Sequence, residues 1–175
     1  MSIISVHEAG HCAIAHLLRI EIVRAVAGED EPVVRTRYRI GRTSDEMMAL
    51  AAKLAIVDLA GPAAEWRHLR ETCWHLDEEN AAKRIRRVIA LRHGLKEDEH
   101  LTDAMQREAK ELLHEARAKA AKLVRQNWLK IERIAEALAY GKPLVQADID
   151  ALMRGEPPDG HAGQYPDKPQ MSGSP

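Results

Sequence analysis

An apolar run opens the chain with titratable side chains set inside it: Ile3-Ile4-Ser5-Val6-His7-Glu8-Ala9-Gly10-His11-Cys12-Ala13-Ile14-Ala15-His16-Leu17-Leu18. Its pattern predicts a helix from about Ser2 to Leu18, largely buried. A buried helix must satisfy its polar side chains, so whatever fold forms has to bring partners to His7, Glu8 and His11. Residues i and i+4 share one helix face, which puts the two histidines about one turn apart. Two N-caps compete. Ser5 and Glu8 match a capping box, but that would tie up Glu8, so Ser2 is the preferred cap.

The remaining pattern is mostly helical. Ile20 to Val26 and Val33 to Ile40 read as two short strands joined by a turn at Gly28-Glu29-Asp30, a small hairpin or sheet edge. A second helix is expected from about Ser44, as N-cap, to Arg70, with Pro62 bending or splitting it. After a connection over Glu71 to Leu76, a third helix opens at Asp77-Glu78-Glu79 and stops near His93-Gly94. A long alanine-rich helix follows from about Thr102 to Tyr140, then a break at Gly141-Lys142-Pro143 and a short helix from Gln146 to Met153. Together 1–154 read as one mainly α domain with a small β-hairpin. Residues 155–175 are rich in Gly, Pro and Ser and are expected to be a disordered tail.

Composition narrows the functions open to this chain. With 175 residues and a net charge of −1, nothing marks it as a nucleic-acid binder or a ligand for anionic membranes. Two cysteines, Cys12 and Cys73, make no disulfide framework, which points to a reducing, cytoplasmic setting. No signal peptide or membrane span is expected. Phenylalanine is absent, and an Ala, Leu and Ile core suits packed helices.

His7-Glu8-Ala9-Gly10-His11 has the HExxH spacing. On a helix this lets two imidazoles reach one ion while the glutamate stands beside them, placed to take a proton from a water on that ion. The chemistry expected is zinc-assisted peptide hydrolysis, with His7 and His11 as ligands and Glu8 as general base. The plainer alternative is an ordinary helix with two surface histidines. Ala9 and Gly10 are small enough for another element to pack close.

HEAGHCAIAHLL resembles the active-site helix of the FtsH-type zinc proteases (peptidase family M41). Leu59 to Glu65 is similar to that family's GGRAAEE segment, Asp77 followed by Ala81 to its ND-x-x-x-A helix start, and Ala109 to Met153 to its C-terminal helices. The resemblance runs in order over about residues 3–154. It implies a helical zinc peptidase domain, a polypeptide substrate, and a third ligand at Asp77. Glu65 is the runner-up ligand, with the alternative of holding a ligand histidine's N–H. His68 and His75 are weaker candidates. As an ordinary residue, Asp77 would be a helix N-cap. No Walker A sequence is present, so the expectation is a stand-alone peptidase that either cuts already-unstructured chains or borrows an ATPase or unfoldase in trans. Family members form hexamers, and a homo-oligomer stays open here.

Other residues carry weaker signals. Cys73 near His75 reads as a buried or loop thiol without a role, with a soft ligand pair as the alternative, and Cys12 as packing. Trp66, Trp74 and Trp128 are core or groove residues. Lys83, Arg84, Arg86 and Arg87 read as a solvated face, with contact to nucleic acid or an acidic partner as the alternative. Arg35, Arg37 and Arg39 share one face of a strand that reads as plainly solvent-facing, with an edge for an added substrate strand as the alternative. Two readings compete with the peptidase: a non-catalytic adaptor keeping the fold, and an ImmA-like regulatory peptidase that cleaves a repressor.

Overall fold

The computed structural model describes residues 2–28, 32–40, 43–70, 75–95 and 100–158. It is mainly α, with one two-stranded antiparallel sheet. Helix α1 (Ile3–Leu17) starts at the expected cap: the Ser2 hydroxyl accepts from the Ser5 N–H at 3.1 Å, which leaves Glu8 out of the capping. From Ser5 to Ala15 every residue of α1 is buried. That is the signature of a helix surrounded by others, and α3, α6, α2, α5, α7 and the sheet all pack on it.

Strands β1 (Glu21–Val26) and β2 (Val33–Arg37) pair antiparallel, with Glu21 opposite Arg37 and Val26 opposite Val33. Ile22 and Ala25 turn into the core. The second edge of β1 is held by Leu144, which exchanges both backbone hydrogen bonds with Ala25. Strand β2 ends earlier than its alternation suggests, at Arg37. Arg39 therefore leaves the strand, and only Arg35 and Arg37 share its exposed face. The expected turn at Glu29 and Asp30 lies outside the described residues.

The second helical stretch is two helices. Helix α2 (Ser44–Asp58) is capped by Thr43 rather than Ser44, through a reciprocal pair with Glu46. It breaks at Leu59, and α3 (Ala60–Leu69) follows. Pro62 is the third residue of α3, where a missing N–H is tolerated in a first turn but not in a continuous helix. By length and composition Ser44–Leu69 is apolar enough to cross a membrane, contrary to the sequence expectation. Its most apolar window, however, is 56% buried inside the protein.

Helix α4 (His75–Arg92) begins two residues before Asp77, so Asp77 lies in the first turn and is not the cap. Gly94, at φ 69°, ends it as expected. The long C-terminal helix is also two: α5 (Asp103–Gln126) and α6 (Trp128–Ala139). At Asn127 the side-chain amide donates to the Leu123 carbonyl at 2.9 Å, competing with the helical ladder. The break lets α6 lie along α1 while α5 packs on α3 and α4. Helix α7 (Gln146–Arg154) closes the core with Ile149 and Leu152, and Pro158 beyond it is buried. The expected tail from 159 lies outside the described residues.

Helix α3 lies close against the α1 backbone at Gly10. A Cβ on Gly10 would stand 2.6 Å from the Ala60 carbonyl oxygen and 2.9 Å from the Ala64 Cβ. Glycine costs about 1 kcal/mol of helix propensity, and here the close approach explains it. Gly10→Ala should therefore destabilise the protein by about 1–3 kcal/mol despite the better helix former. Urea denaturation measures this, and an unchanged or raised midpoint would contradict the contact.

Candidate metal centre

His7, Glu8 and His11 come from the second and third turns of α1, all less than a tenth exposed. Each histidine is held by its Nδ1. The His7 Nδ1 meets Glu65 Oε1 of α3 at 2.8 Å, and the His11 Nδ1 meets the Val57 carbonyl of α2 at 2.7 Å. Both acceptors are oxygens, so both Nδ1 atoms donate. The lone pairs of neutral imidazoles are then on Nε2. Those two Nε2 atoms face each other at 2.9 Å. Asp77 on α4 supplies the third donor: its Oδ2 is 2.9 Å from His7 Nε2 and 3.7 Å from His11 Nε2.

The donor set suits a cation. Tetrahedral zinc binds nitrogen and oxygen at about 2.0–2.2 Å, which separates neighbouring donors by roughly 3.3 Å. The three donor separations bracket that value. Gly61 supplies the space: a Cβ there would lie 2.5 Å from His11 Nε2 and 2.6 Å from His7 Nε2. A side chain at 61 would thus intrude on the edge where both lone pairs converge. Among the described residues this is the group of histidine, cysteine and acidic side chains arranged to hold a metal.

The charges agree with the geometry. Burial pulls the His7 pKa down, but hydrogen bonds to Asp77 and Glu65 and the charge of Glu8 outweigh it and raise it to about 9. Burial also opposes ionisation of Asp77, yet both imidazoles hold its carboxyl well below the usual range. Without a metal, a proton on His7 therefore balances Asp77. Burial pushes Glu8 upward against the lowering pull of the two histidines. Glu8 makes no hydrogen bond to any described residue, an unusual state for a buried carboxyl group.

A further pair braces the centre. Arg84 Nε donates to Asp58 Oδ2 at 2.6 Å, linking α4, which carries Asp77, to the end of α2, which carries the Val57 carbonyl. Burial raises the Asp58 pKa in spite of that partner.

The sequence-predicted residues thus separate. His7, Glu8, His11 and Asp77 are brought together. Glu65 is not among the donors, since it faces the far nitrogen of His7, the alternative role considered for it. His68 is exposed, with its ring centroid 6.4 Å from that of Trp128, and does not join them. Cys73, Trp74 and the side chain of His75 lie outside the described residues. Trp66 is 54% exposed rather than core, and the Trp128 ring carries the Arg67 guanidinium at 4.8 Å. Sequence reasoning missed the Val57 carbonyl, the Asp58–Arg84 brace and the steric role of Gly61. Only Gly61 had a readable signal, its place in the Leu59–Glu65 segment. No protein-family model matches the chain, and no curated protein matches it.

Two outcomes test the centre. Gly61→Ala should keep the helical circular dichroism yet weaken zinc binding at least about tenfold, since the methyl group displaces both imidazoles. Competition with a chromophoric chelator measures it. The second is a pH dependence. In the metal-free protein the raised His7 pKa contributes stability that is full below the ordinary histidine value of 6.5 and lost as pH rises through about 9. Metal binding must displace that proton. The rise in Tm caused by zinc should therefore grow between pH 6 and 9, and a flat difference would argue against the site.

Proposed function

We propose that this chain is a zinc-dependent endopeptidase of the FtsH type, acting on unfolded or flexible polypeptide. The observation that carries the proposal is Glu8: a buried carboxyl group, with no hydrogen bond to a described residue, beside three convergent metal donors. A site that only stabilises the fold has no use for such a group. The ordered resemblance from the active-site helix to the C-terminal helices supports the same assignment.

His7, His11 and Asp77 would hold the zinc, which when bound supplies a Lewis acid and lowers the pKa of a coordinated water towards about 7. Glu65 and the Val57 carbonyl accept from the Nδ1 atoms and so hold both Nε2 atoms turned towards Asp77. Glu8 takes the proton from the attacking water and delivers it to the leaving amine. Burial makes it a stronger base than an exposed glutamate, because the neutral form is favoured in an apolar setting. The outer edge of β2 pairs with no strand among the described residues, and we assign the substrate backbone to it, added as a third strand. We place the chain in the cytoplasm, on its two cysteines, with an unfoldase in trans for folded substrates.

Glu8→Gln should bind zinc like the wild type and cleave fluorescent casein about 100- to 10,000-fold more slowly. Metal analysis and cleavage are read on the same samples. Full activity in that variant would overturn the mechanism. Stoichiometric zinc with no cleavage by the wild type would favour a non-catalytic module. Loss of zinc from Asp77→Ala but not from Glu65→Gln would fix the third ligand.

A further inference from the structure

A groove of about 1250 Å³ lies between α2, α4 and α5. It is not the metal centre: none of the donors lines it. Its lining divides by chemistry. Leu50 and Leu54 from α2, Leu91 from α4 and Leu113 from α5 form the apolar part. The charged part is basic: Lys83, Arg86 and Arg87 from α4 with Lys110 from α5. Among the described residues no aspartate or glutamate lines the groove, although acidic and basic residues are nearly equal in the chain, 27 against 26. Among those residues the charge is segregated by position.

Arg84 also lines the groove, but its side chain is turned to Asp58 and braces α4 against α2. Lys83, Arg86 and Lys110 are exposed. Long basic side chains beside half-buried leucines give a surface that is apolar along its floor and positive along its rim. Such a groove exceeds the usual range of roughly 300–1,000 Å³ for small-molecule sites. A groove between helices suits an amphipathic helix, whose leucine-type anchors recur at i, i+3, i+4 and i+7. Charge complementarity makes the flanks of that helix acidic. Nucleic acid fits less well: Tyr38 and His100 are the only aromatic rings among the described lining residues, so bases would have few stacking partners. A membrane surface cannot fill a concavity.

We propose that the α2–α4–α5 groove is a docking site for an acidic amphipathic helix of a partner polypeptide. The proposal does not depend on peptidase activity. Its one link to the metal centre is structural, since α4 carries both the groove's basic residues and Asp77.

The probe is a fluorescein-labelled helical peptide of about 18 residues, with leucine at i, i+3, i+4 and i+7 and glutamate on both flanks. Anisotropy is read on the full chain. Saturable binding is expected, weakened at least about tenfold by the exposed-site double variant Lys83→Glu/Arg86→Glu. The same loss is expected when the peptide's leucines are permuted out of helical spacing. Glu8→Gln should bind the peptide like the wild type. Amide resonances of α2, α4 and α5 should shift on titration. Absence of saturable binding below about 1 mM would overturn the proposal. So would equal affinity for the permuted peptide, or indifference to the double variant. Tighter binding to single-stranded RNA or phosphatidylserine vesicles, abolished by the double variant, would overturn it in favour of those ligands.

Discussion

Helix α1 buries His7, Glu8 and His11 in the middle of an apolar core, and the neighbouring helices are arranged around satisfying the two histidines. Leaving a buried polar group unpartnered costs about 1–3 kcal/mol, more when it is charged. Two neighbouring helices answer that demand for the histidines. Helix α2 offers a backbone carbonyl and α3 a carboxylate, one for each Nδ1. Neither could reach without the close approach at Gly10, where α3 lies against the α1 backbone. The same approach brings Gly61 to the Nε2 atoms, so the packing that holds the imidazoles also clears the space in front of them.

The break between α2 and α3 belongs to the same logic. Pro62 cannot donate to a preceding carbonyl, so one continuous helix is not available. Val57 falls in the last turn of α2, where carbonyls lose their helical partners, and His11 supplies a donor there. Asp58, the next residue, is held by Arg84 of α4. A single proline thus relates three features: the helix break, the fixed tautomer of His11, and the link from α2 to the helix that carries Asp77.

Much of this was legible in the sequence, and the illegible parts have physical reasons. HExxH spacing on an apolar helix fixed the relation of His7, Glu8 and His11, because helical geometry is local. The Ser2 cap, the hairpin and the Gly94 stop were also local. The division at Asn127 was hidden because the apolar stripe from Leu112 to Leu138 runs through it without losing phase, and only tertiary packing against α1 decides the turn. The end of β2 at Arg37 was hidden because alternation continues past the last paired residue. The Val57 carbonyl carries no side-chain signal at all. Asp77 came from resemblance, not from spacing, and its position in the first turn of α4 rather than at its cap depends on where the helix begins.

Glu8 is the member of the cluster whose burial no described residue compensates with a hydrogen bond. A glutamine would be easier to bury, since it carries no charge to desolvate. What favours the carboxylate is cationic charge nearby. Protonated His7 supplies part of it in the metal-free protein, and the lowering pull of both histidines on Glu8 is that effect. A divalent ion at the three donors would supply more, acting at short range in a medium of low dielectric. Ionised Glu8 and a cation at the donors therefore stabilise each other. Protonation of Glu8 in turn becomes easier as the positive charge beside it falls. This is the property required of a group that must accept a proton and then release it within a single turnover.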